Sequence, residues 1–234
     1  MNYPGLELEN FDKATIWRKY IYLLIKKYIN NNILEVGSGI GSFTKNYKKK
    51  IKNITLSEID SSNYNLLLKK FEDKKNIKII SSFIGEIKNN FNTILYLNVL
   101  EHIEKDVDEI NEALKKIENN GYLVILVPAH NRLYSKFDKA IGHIRRYEIN
   151  FFRSLKLENS KIVDLYYLDS MGYFLYLLNR IFFKEEIYPS KLKIFLWDKL
   201  FTPISIILDR FLNYKFGKNI MCIIKKSKNY HTDV

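Results

Sequence analysis

Closely spaced glycines after an apolar run mark a place where the backbone can approach a ligand. Gly37, Gly39 and Gly41 follow the apolar run 33–36, which contains the acidic residue Glu35. Glycine allows a sharp turn and leaves room for a ligand where a Cβ atom would collide. Glu35 is also a candidate, because a buried carboxylate needs a hydrogen-bonding partner. Such a turn occurs in several kinds of nucleotide site and in ordinary strand-to-helix turns, so its meaning depends on its surroundings.

Two acidic residues follow the next apolar run, 54–56. A carboxylate at the end of a second strand can accept hydrogen bonds from both hydroxyls of a ribose, and Glu58 is better placed for this than Asp60. Asp60 is equally suited to cap the helix that follows, because aspartate accepts hydrogen bonds from the first backbone N–H groups of a helix. The pair predicts nucleoside binding through Glu58.

A polar stretch at 128–147 contains side chains that can move protons and hold anions. Histidine exchanges a proton near neutral pH, which makes His130 and His143 candidates for a general base. The guanidinium groups of Arg145 and Arg146 can each donate parallel hydrogen bonds to a planar or phosphate anion. The alternative is that the arginines and tyrosines of this stretch tie the loop down through carboxylate pairs.

Apolar periodicity predicts the elements that position these residues. Short apolar runs alternate with longer amphipathic stretches, which is typical of a mostly parallel sheet covered by helices on both faces. The fold class is therefore α/β, with a doubly wound, mostly parallel, seven-stranded sheet. Strands are predicted at 33–36, 54–56, 77–80, 93–97, 122–127, 161–168 and 220–224, and helices at 11–29, 42–50, 61–72, 104–118 and across most of 171–217.

Length and composition favour one domain with an insertion. The 234 residues are 47% hydrophobic, enough for a core and without the signature of disorder. A cytoplasmic location is predicted, because the single Cys222 cannot form an internal disulfide and no secretory pattern follows Met1. No metal site is predicted, since the sequence shows neither a Cys/His cluster at zinc spacing nor a carboxylate cage.

Taken together, the motifs resemble those of class I S-adenosylmethionine-dependent methyltransferases. Residues 35–41 are similar to the family's glycine-rich first motif, Glu58 to its ribose-binding acid, and Leu-Asn-Val-Leu-Glu-His-Ile at 97–103 to its fourth-strand motif. The stretch Gly-His-Ile-Arg-Arg-Tyr at 142–147 resembles one branch of the family, whose relatives are often linked to sugar or glycan pathways. The resemblance implies a Rossmann-like methyltransferase fold.

The resemblance also implies how S-adenosylmethionine is bound, across the carboxyl ends of the first, second and fourth strands. It places Asn98 near the reacting end of the cofactor and makes His102 a support for the pocket. An acidic residue common after the third strand is absent, so Phe83 or Ile84 is expected to pack against the adenine. The implied cofactor-binding residues are Glu35, Gly37, Ser38, Gly39, Gly41, Glu58, Ile59, Phe83, Ile84 and Asn98.

Methyl transfer from a sulfonium is a direct displacement, which requires alignment of donor and acceptor and exclusion of water. A hydroxyl acceptor must also lose its proton, so His143 or His130 is expected to act as a base. Arg145 and Arg146 are expected to orient an acceptor that carries an anionic group. The predicted function is O-methylation of a small-molecule or glycan acceptor, with His143, Arg145, Arg146, His130 and Tyr134 as candidate catalytic residues.

The net positive charge of the chain supports an alternative function, the methylation of RNA. Its 38 Lys and Arg residues outweigh 26 Asp and Glu residues, and a net charge of +12 favours anionic partners such as RNA. Nucleic acid is nevertheless not the expected partner, because the sequence lacks a separable RNA-binding module and an evident stacking platform. A non-catalytic cofactor-binding module is a further alternative, against which the intact glycine motif and the polar loop argue.

Residues 171–217 are aromatic and aliphatic and are predicted as helices that form a lid or a homodimer face. The alternative is that aromatics dock on an anionic membrane surface, which would make the protein peripheral there. The basic residues that flank these aromatics are Arg180, Lys184, Lys191 and Lys193. The predicted organisation is a packing helix in 1–32, a cofactor-binding core in 33–170 with an acceptor loop at 128–147, the helical insertion 171–217, and a last strand with tail in 218–234.

Overall fold

A seven-stranded sheet forms the centre of the fold in the computed structural model, which describes residues 6–182 and 187–227. Each predicted strand overlaps an observed one. Apolar and β-branched residues dominate these segments, as expected for strands that are buried on both faces. The strands are β1 Asn32–Val36, β2 Asn53–Ser57, β3 Ile77–Ile80, β4 Phe91–Leu97, β5 Ile117–Pro128, β6 Ser160–Leu168 and β7 Asn219–Lys226.

The strand order across the sheet is β3-β2-β1-β4-β5-β7-β6. Neighbouring strands from β3 to β5 are parallel, whereas β7 is antiparallel to both β5 and β6. The sheet is therefore mixed, which refines the prediction of a mostly parallel one. The strand order reverses between β1 and β4, and in open α/β sheets ligands bind in the crevice outside the carboxyl ends of the strands at such a point.

Helices cover both faces of the sheet. On one face Ile21 and Leu67 pack in the same buried cluster as Ile33, and on the other face Ile110 packs with Leu34. Successive residues of β1 thus point to opposite layers, as the pleat of a strand requires. The helices of this part of the chain are α1 Leu6–Phe11, α2 Thr15–Ile25, α3 Ser61–Phe71, α4 Asp106–Lys115, α5 Lys136–Ala140 and α6 Ile149–Arg153.

Two of the predicted helices are wrong in detail. The segment 11–29 holds the end of α1 and a separate α2, whose first turn donates the N–H groups of Ile16 and Trp17 to the distant carboxylate of Asp198. The segment 42–50 contains only a 3₁₀ turn at Thr44–Asn46. In both places a buried tertiary contact, not the apolar period, determines where the helix begins or fails to form.

The predicted insertion contains α7 Ser170–Phe182, α8 Lys191–Leu196, a π-helical turn Trp197–Phe201 and α9 Thr202–Phe211. Buried polar contacts hold these helices to the core. Asp209 accepts a hydrogen bond from the hydroxyl of Tyr20 at 3.0 Å, and Asp169 accepts one from the indole of Trp197 at 3.1 Å.

Apolar side chains remain exposed on these helices. A lid, a homodimer face and a membrane-docking surface therefore stay predictions for the insertion, and the predicted tail beyond residue 227 lies outside the described residues. In the part of the chain that the structure describes, every helix is too short or too polar to cross a bilayer. The exposed side chains include Phe174, Leu178, Leu192, Phe195, Leu196, Leu200, Ile207 and Phe211.

Candidate active site

The glycine turn lies at the carboxyl end of β1, where the strand order reverses. Gly37, Gly39 and Gly41 adopt φ values of 60°, 53° and 67°, a region that L-residues with a side chain rarely occupy. A Cβ atom at Gly37 would lie 2.7 Å from Cγ2 of Val99. The hydroxyl of Ser38 donates to the carbonyl of Glu35 at 2.9 Å. The left-handed backbone and the contact with Val99 therefore require glycine in this turn.

Glu35 lies under this turn and connects it to residues 44–47, which follow the turn in the chain. Its carboxylate accepts hydrogen bonds from Thr44 at 2.8 Å and from the hydroxyl of Tyr47. Burial raises the pKa of Glu35 to about 7, against the opposing effect of these two hydrogen bonds. The buried acid thus has the partners that it needs, and they are supplied by the protein.

The raised pKa of Glu35 makes the stability of the folded chain depend on pH. Its pKa is about 7 in the folded chain against an ordinary value of 4.5, so the unfolded chain releases this proton first as the pH rises. The contribution of Glu35 to stability is therefore fully present below pH 4.5 and is lost as the pH rises through about 7.

We expect the free energy of unfolding of the Glu35→Gln variant to fall less than that of the wild type between pH 4.5 and pH 7, by up to about 3 kcal/mol. Urea denaturation of both proteins at several pH values measures the difference. Parallel pH profiles would contradict this account of Glu35.

Glu58 follows β2 and faces the glycine turn. It is buried, and its two carboxylate oxygens accept hydrogen bonds from the backbone N–H of Gly39 at 2.7 Å and of Asp60 at 2.9 Å. Burial raises the pKa of Glu58, although the same N–H groups oppose the rise. Asp60 accepts a hydrogen bond from Asn63 N at 2.9 Å and caps α3, so the capping alternative is confirmed for this residue.

The ends of β2 and β3 carry apolar side chains beside these acids. Ile59 is 56% exposed and Phe83 is 61% exposed, which is unusual for side chains of their size. Ile84, the other residue predicted to contact adenine, is only 2% exposed and packs in the core cluster with Leu34. The structure therefore leaves Ile59 and Phe83 as the apolar surfaces open to a ligand.

These residues fit a cofactor that contains a nucleoside. The backbone turn at Gly37 and Gly39 leaves space for close approach, Glu58 offers a carboxylate beside it, and the exposed side chains of Ile59 and Phe83 offer apolar surface. Ribose hydroxyls would replace the backbone N–H groups that now donate to Glu58, and a flat base would cover the exposed Phe83 ring.

Asn98 and Glu101 occupy the end of β4, adjacent to the turn. Asn98 has a φ of 59°, and its amide donates to Oε1 of Glu101 at 3.3 Å. Glu101 is fully buried, and within the described part of the chain its Oε2 atom has no hydrogen-bond partner. Burial raises the pKa of Glu101, whereas the nearby His143 lowers it.

The predicted acceptor loop returns to the sheet and places His143 against Glu101. Nε2 of His143 lies 3.6 Å from Oε1 of Glu101, and its Nδ1 lies 2.9 Å from the carboxylate of Asp138. The ring of His102 meets that of His143 edge to face at 4.7 Å, and burial lowers the pKa of His102 to about 4. We call Glu101, His102 and His143 the Glu-His-His cluster.

The two arginines of this loop bind carboxylates of the protein itself. Arg146 is 6% exposed and contacts Asp138 through Nε at 3.0 Å and Nη2 at 2.9 Å. Arg145 donates to Asp106 at 2.7 Å. Burial on its own raises the pKa of Asp138, but His143 and Arg146 outweigh it and lower the pKa to about 2. These ion pairs match the alternative in which arginines tie the loop down, and the anionic acceptor predicted from them loses its support.

His130 and Tyr134, the other candidate catalytic residues, have structural contacts. Nε2 of His130 lies 3.0 Å from the carbonyl of Gly217, and its ring stacks on Tyr167 at 5.0 Å. The hydroxyl of Tyr134 donates to the carbonyl of His143 at 2.6 Å. His130 thus belongs to an aromatic cluster of its own, whereas Tyr134 holds the backbone of His143 in place.

Sequence reasoning missed Glu101 and Asp138 as members of the site. Glu101 was visible only as part of the fourth-strand motif, and Asp138 as one polar residue in a loop. No metal-ligand spacing pointed to the Glu-His-His cluster, because His143 comes from a distant loop. Its three groups nevertheless each place one potential ligand atom within 4.8 Å of the other two.

Comparison with known proteins gives the family. A family model described as a methyltransferase domain matches residues 12–169. This chain belongs to that family. S-adenosylmethionine is the methyl donor of its members, as the resemblance implied. The family match covers the glycine turn, Glu58, the Glu-His-His cluster and the whole acceptor loop.

A relative and two solved structures are similar to the chain over different lengths. Ribosomal RNA small subunit methyltransferase A of Fusobacterium nucleatum is 29% identical over 119 residues, which are 48% of this chain and 44% of the relative. The chain therefore matches less than half the length of that protein. This similarity lies in sequence and is partial, so it carries no acceptor over by itself.

The solved structures extend the similarity to the whole fold. The N-methyltransferase NodS of Bradyrhizobium japonicum, in complex with S-adenosyl-L-homocysteine, has a TM-score of 0.60 at 14% identity, covering 97% of this chain and 98% of NodS. A chain from the complex of a methyltransferase with the Haloferax volcanii activator Trm112 has a TM-score of 0.65 at 9% identity, covering 99% and 100%. At these identities the likeness shows a shared fold.

Proposed function

We propose that this chain transfers the methyl group of S-adenosylmethionine to a hydroxyl of a small-molecule or glycan acceptor. The observation that carries the proposal is the contact of Glu101, His143 and Asp138 beside Asn98, at the crevice next to the glycine turn. A hydroxyl must lose its proton to attack a methyl group, and this arrangement is suited to removing one.

His143 is the proposed base within this arrangement. Asp138, paired with the buried Arg146, accepts a hydrogen bond from Nδ1 of His143, which leaves the lone pair on Nε2. When Nε2 takes the acceptor's proton, the imidazolium is stabilised by Asp138 on one side and by Glu101 on the other. Arg145, Arg146 and Tyr134 act on the acceptor only indirectly, by holding this loop.

S-adenosylmethionine, when bound, would supply an electrophilic methyl group on a sulfonium for direct displacement by the acceptor oxygen. Asn98 would orient the reacting end of the cofactor, Glu58 would hold its ribose, and Phe83 would pack on its adenine. The loop that carries His143 covers the acceptor side and excludes water. Alignment and desolvation are the main contributions that a protein can make to such a displacement.

Methylation of RNA is the second candidate. The net charge of +12 and the partial similarity to a ribosomal RNA methyltransferase favour it. An acceptor screen with a labelled methyl donor separates the two candidates. Label in ribonuclease-resistant small molecules or glycans is the expected result, and label that ribonuclease releases would favour RNA.

Substitution of His143 tests the proposed base. We expect His143→Asn to lower turnover by about 100-fold to 10,000-fold, while the affinity for S-adenosyl-L-homocysteine changes little. The matched comparison is His130→Asn, which alters the other histidine of the loop. Calorimetry and the labelled-methyl assay measure the two effects. A full loss of turnover in His130→Asn with normal turnover in His143→Asn would assign the base to His130.

A further inference from the structure

The contact of His143 with Glu101 joins two atoms that both carry lone pairs. Asp138 is paired with the buried Arg146, so it accepts a hydrogen bond and fixes the proton of His143 on Nδ1. The lone pair of the neutral ring is then on Nε2, which lies 3.6 Å from Oε1 of Glu101. Two such atoms repel each other in a buried site unless a proton or a metal ion lies between them.

Glu101 adds a second observation that points to a cation. The residue is fully buried, and its Oε2 atom has no hydrogen-bond partner among the described residues. A buried carboxylate oxygen without a partner is costly, and buried charges in proteins are paired or coordinate metal ions. The side-chain amide of Asn98 donates a hydrogen bond to Oε1 of Glu101, at 3.3 Å, and not to Oε2.

His102 completes the set of ligand atoms. Its Nδ1 lies 3.1 Å from the carbonyl of Gly142, and as a donor to that oxygen it carries its lone pair on Nε2. Potential ligand atoms of Glu101, His102 and His143 lie within 4.8 Å of one another. In metal sites the second ring N–H of a ligating histidine is almost always held by a carboxylate or a carbonyl oxygen. Nδ1 of His143 is held by the carboxylate of Asp138, and Nδ1 of His102 is held by the carbonyl oxygen of Gly142.

We infer that the Glu-His-His cluster binds a divalent first-row transition ion. One carboxylate and two imidazoles suit Zn²⁺ or Fe²⁺, whereas Mg²⁺ and Ca²⁺ prefer oxygen ligands alone. Ligand atoms about 2.1 Å from a tetrahedral ion are about 3.4 Å apart. The 3.6 Å between His143 and Glu101 is close to that spacing.

Three protein ligands leave a coordination position for an acceptor oxygen, as in catalytic zinc sites. This part of the inference rests on the proposed function. A hydroxyl bound to the ion has a lowered pKa and releases its proton to solvent, and the resulting oxygen anion is the nucleophile for the methyl carbon. The ion then acidifies the acceptor directly, and His143 acts as a ligand of the ion, which replaces its role as general base.

Metal titration of the full chain tests the cluster without any acceptor. After treatment with a chelator and its removal, the protein is titrated with Zn²⁺ against a chromophoric competitor, and in parallel with Co²⁺ while visible absorption is recorded. We expect one ion of Zn²⁺ per chain, and Co²⁺ absorption that Zn²⁺ abolishes. Glu101→Gln and His102→Asn should each weaken Zn²⁺ binding by more than about 100-fold, because replacing a residue that only supports a ligand already costs about 10-fold to 100-fold.

His130→Asn is the matched control for metal affinity, because it removes a histidine outside the cluster and should leave Zn²⁺ binding unchanged. Circular dichroism of each variant shows that the fold is retained, and Gln at 101 keeps the volume of the buried side chain. Wild-type protein that binds neither Zn²⁺ nor Co²⁺ stoichiometrically would overturn the inference, as would equal Zn²⁺ affinity in the wild type and both cluster variants.

Binding of S-adenosyl-L-homocysteine, measured by calorimetry on the same samples, separates this inference from the proposed function. Cofactor binding without metal binding would reject the metal site and leave the methyltransferase proposal in place. Metal binding without cofactor binding would support the metal site and reject the methyltransferase proposal.

Discussion

Gly39→Leu is expected to weaken binding of S-adenosyl-L-homocysteine by on the order of 100-fold, or about 2.8 kcal/mol, with the fold retained. The backbone N–H of Gly39 donates to Glu58, the residue proposed to hold the ribose, so a side chain at 39 lies beside the proposed cofactor position. Among described residues, a Cβ atom there would meet only Leu8, at 3.4 Å. The fold should therefore lose only about 1–2 kcal/mol through the left-handed backbone.

Substitutions at Gly37 or Gly41 would not separate an effect on cofactor binding from an effect on folding. A Cβ atom at Gly37 would lie 2.7 Å from Val99, and one at Gly41 would lie 2.6 Å from Phe71. Both substitutions would disturb packing under the turn as well as the ligand site. The described residues leave room for a side chain at Gly39, and we expect that side chain to exclude the cofactor from its proposed position.

Asn159→Leu is the matched control for the strained backbone. Asn159 is exposed and also has a positive φ of 50°, but it lies in the turn before β6, away from the glycine turn. Calorimetry should show normal cofactor affinity in this variant and greatly reduced affinity in Gly39→Leu. Equal affinities in the two variants would mean that the glycine turn does not contact the cofactor.

Asp138→Ala is expected to destabilise the folded chain by about 3–5 kcal/mol. The carboxylate is buried and holds both Arg146 and His143, at 2.9 Å each. Its removal leaves the buried guanidinium of Arg146 with the carbonyl of Ala129 at 3.4 Å and the ring of Tyr176 at 5.1 Å. Neither contact neutralises the charge, so the loop should also lose its attachment to the Glu-His-His cluster.

Urea denaturation measures this effect, and Glu112→Ala provides the control. Glu112 forms an exposed pair with Lys115 at 2.7 Å on α4, and exposed pairs of this kind contribute little to stability. We expect an unchanged denaturation midpoint for Glu112→Ala and a large decrease for Asp138→Ala. Similar midpoints for the two variants would show that the charge of Arg146 is compensated in another way.

The fold was predictable because its signals are local. Apolar runs in the sequence correspond to the seven strands, and the glycines at 37, 39 and 41 form a sharp turn with positive φ values. Glu58 was placed correctly at the end of β2, since the residue that follows a parallel strand lies at the carboxyl edge of the sheet. The capping role of Asp60 was likewise visible from its position before an amphipathic segment.

Predictions that depended on distant contacts were less successful. The helix at 42–50 is missing because Tyr47 turns inward to the buried Glu35, and the helix at 11–29 is divided by a contact with Asp198. Arg146 was a candidate for acceptor binding until its burial against Asp138 was known. Burial is a property of the packed chain, so the sequence around a charged residue does not predict which residue it will pair with.

The sequence by itself determined an α/β fold and the position of a glycine turn, because hydrophobic periodicity and glycine chemistry act over a few neighbouring residues. Methyl transfer was implied by the resemblance of its motifs to a known family. Only the tertiary structure decided which side chains of the loop after β5 meet at the end of β4. Parallel strands bring their carboxyl ends to one edge of the sheet, and the loop after β5 returns across that edge. This path sets His143 against Glu101 and His102, and it leaves the arginines as the supports of the loop.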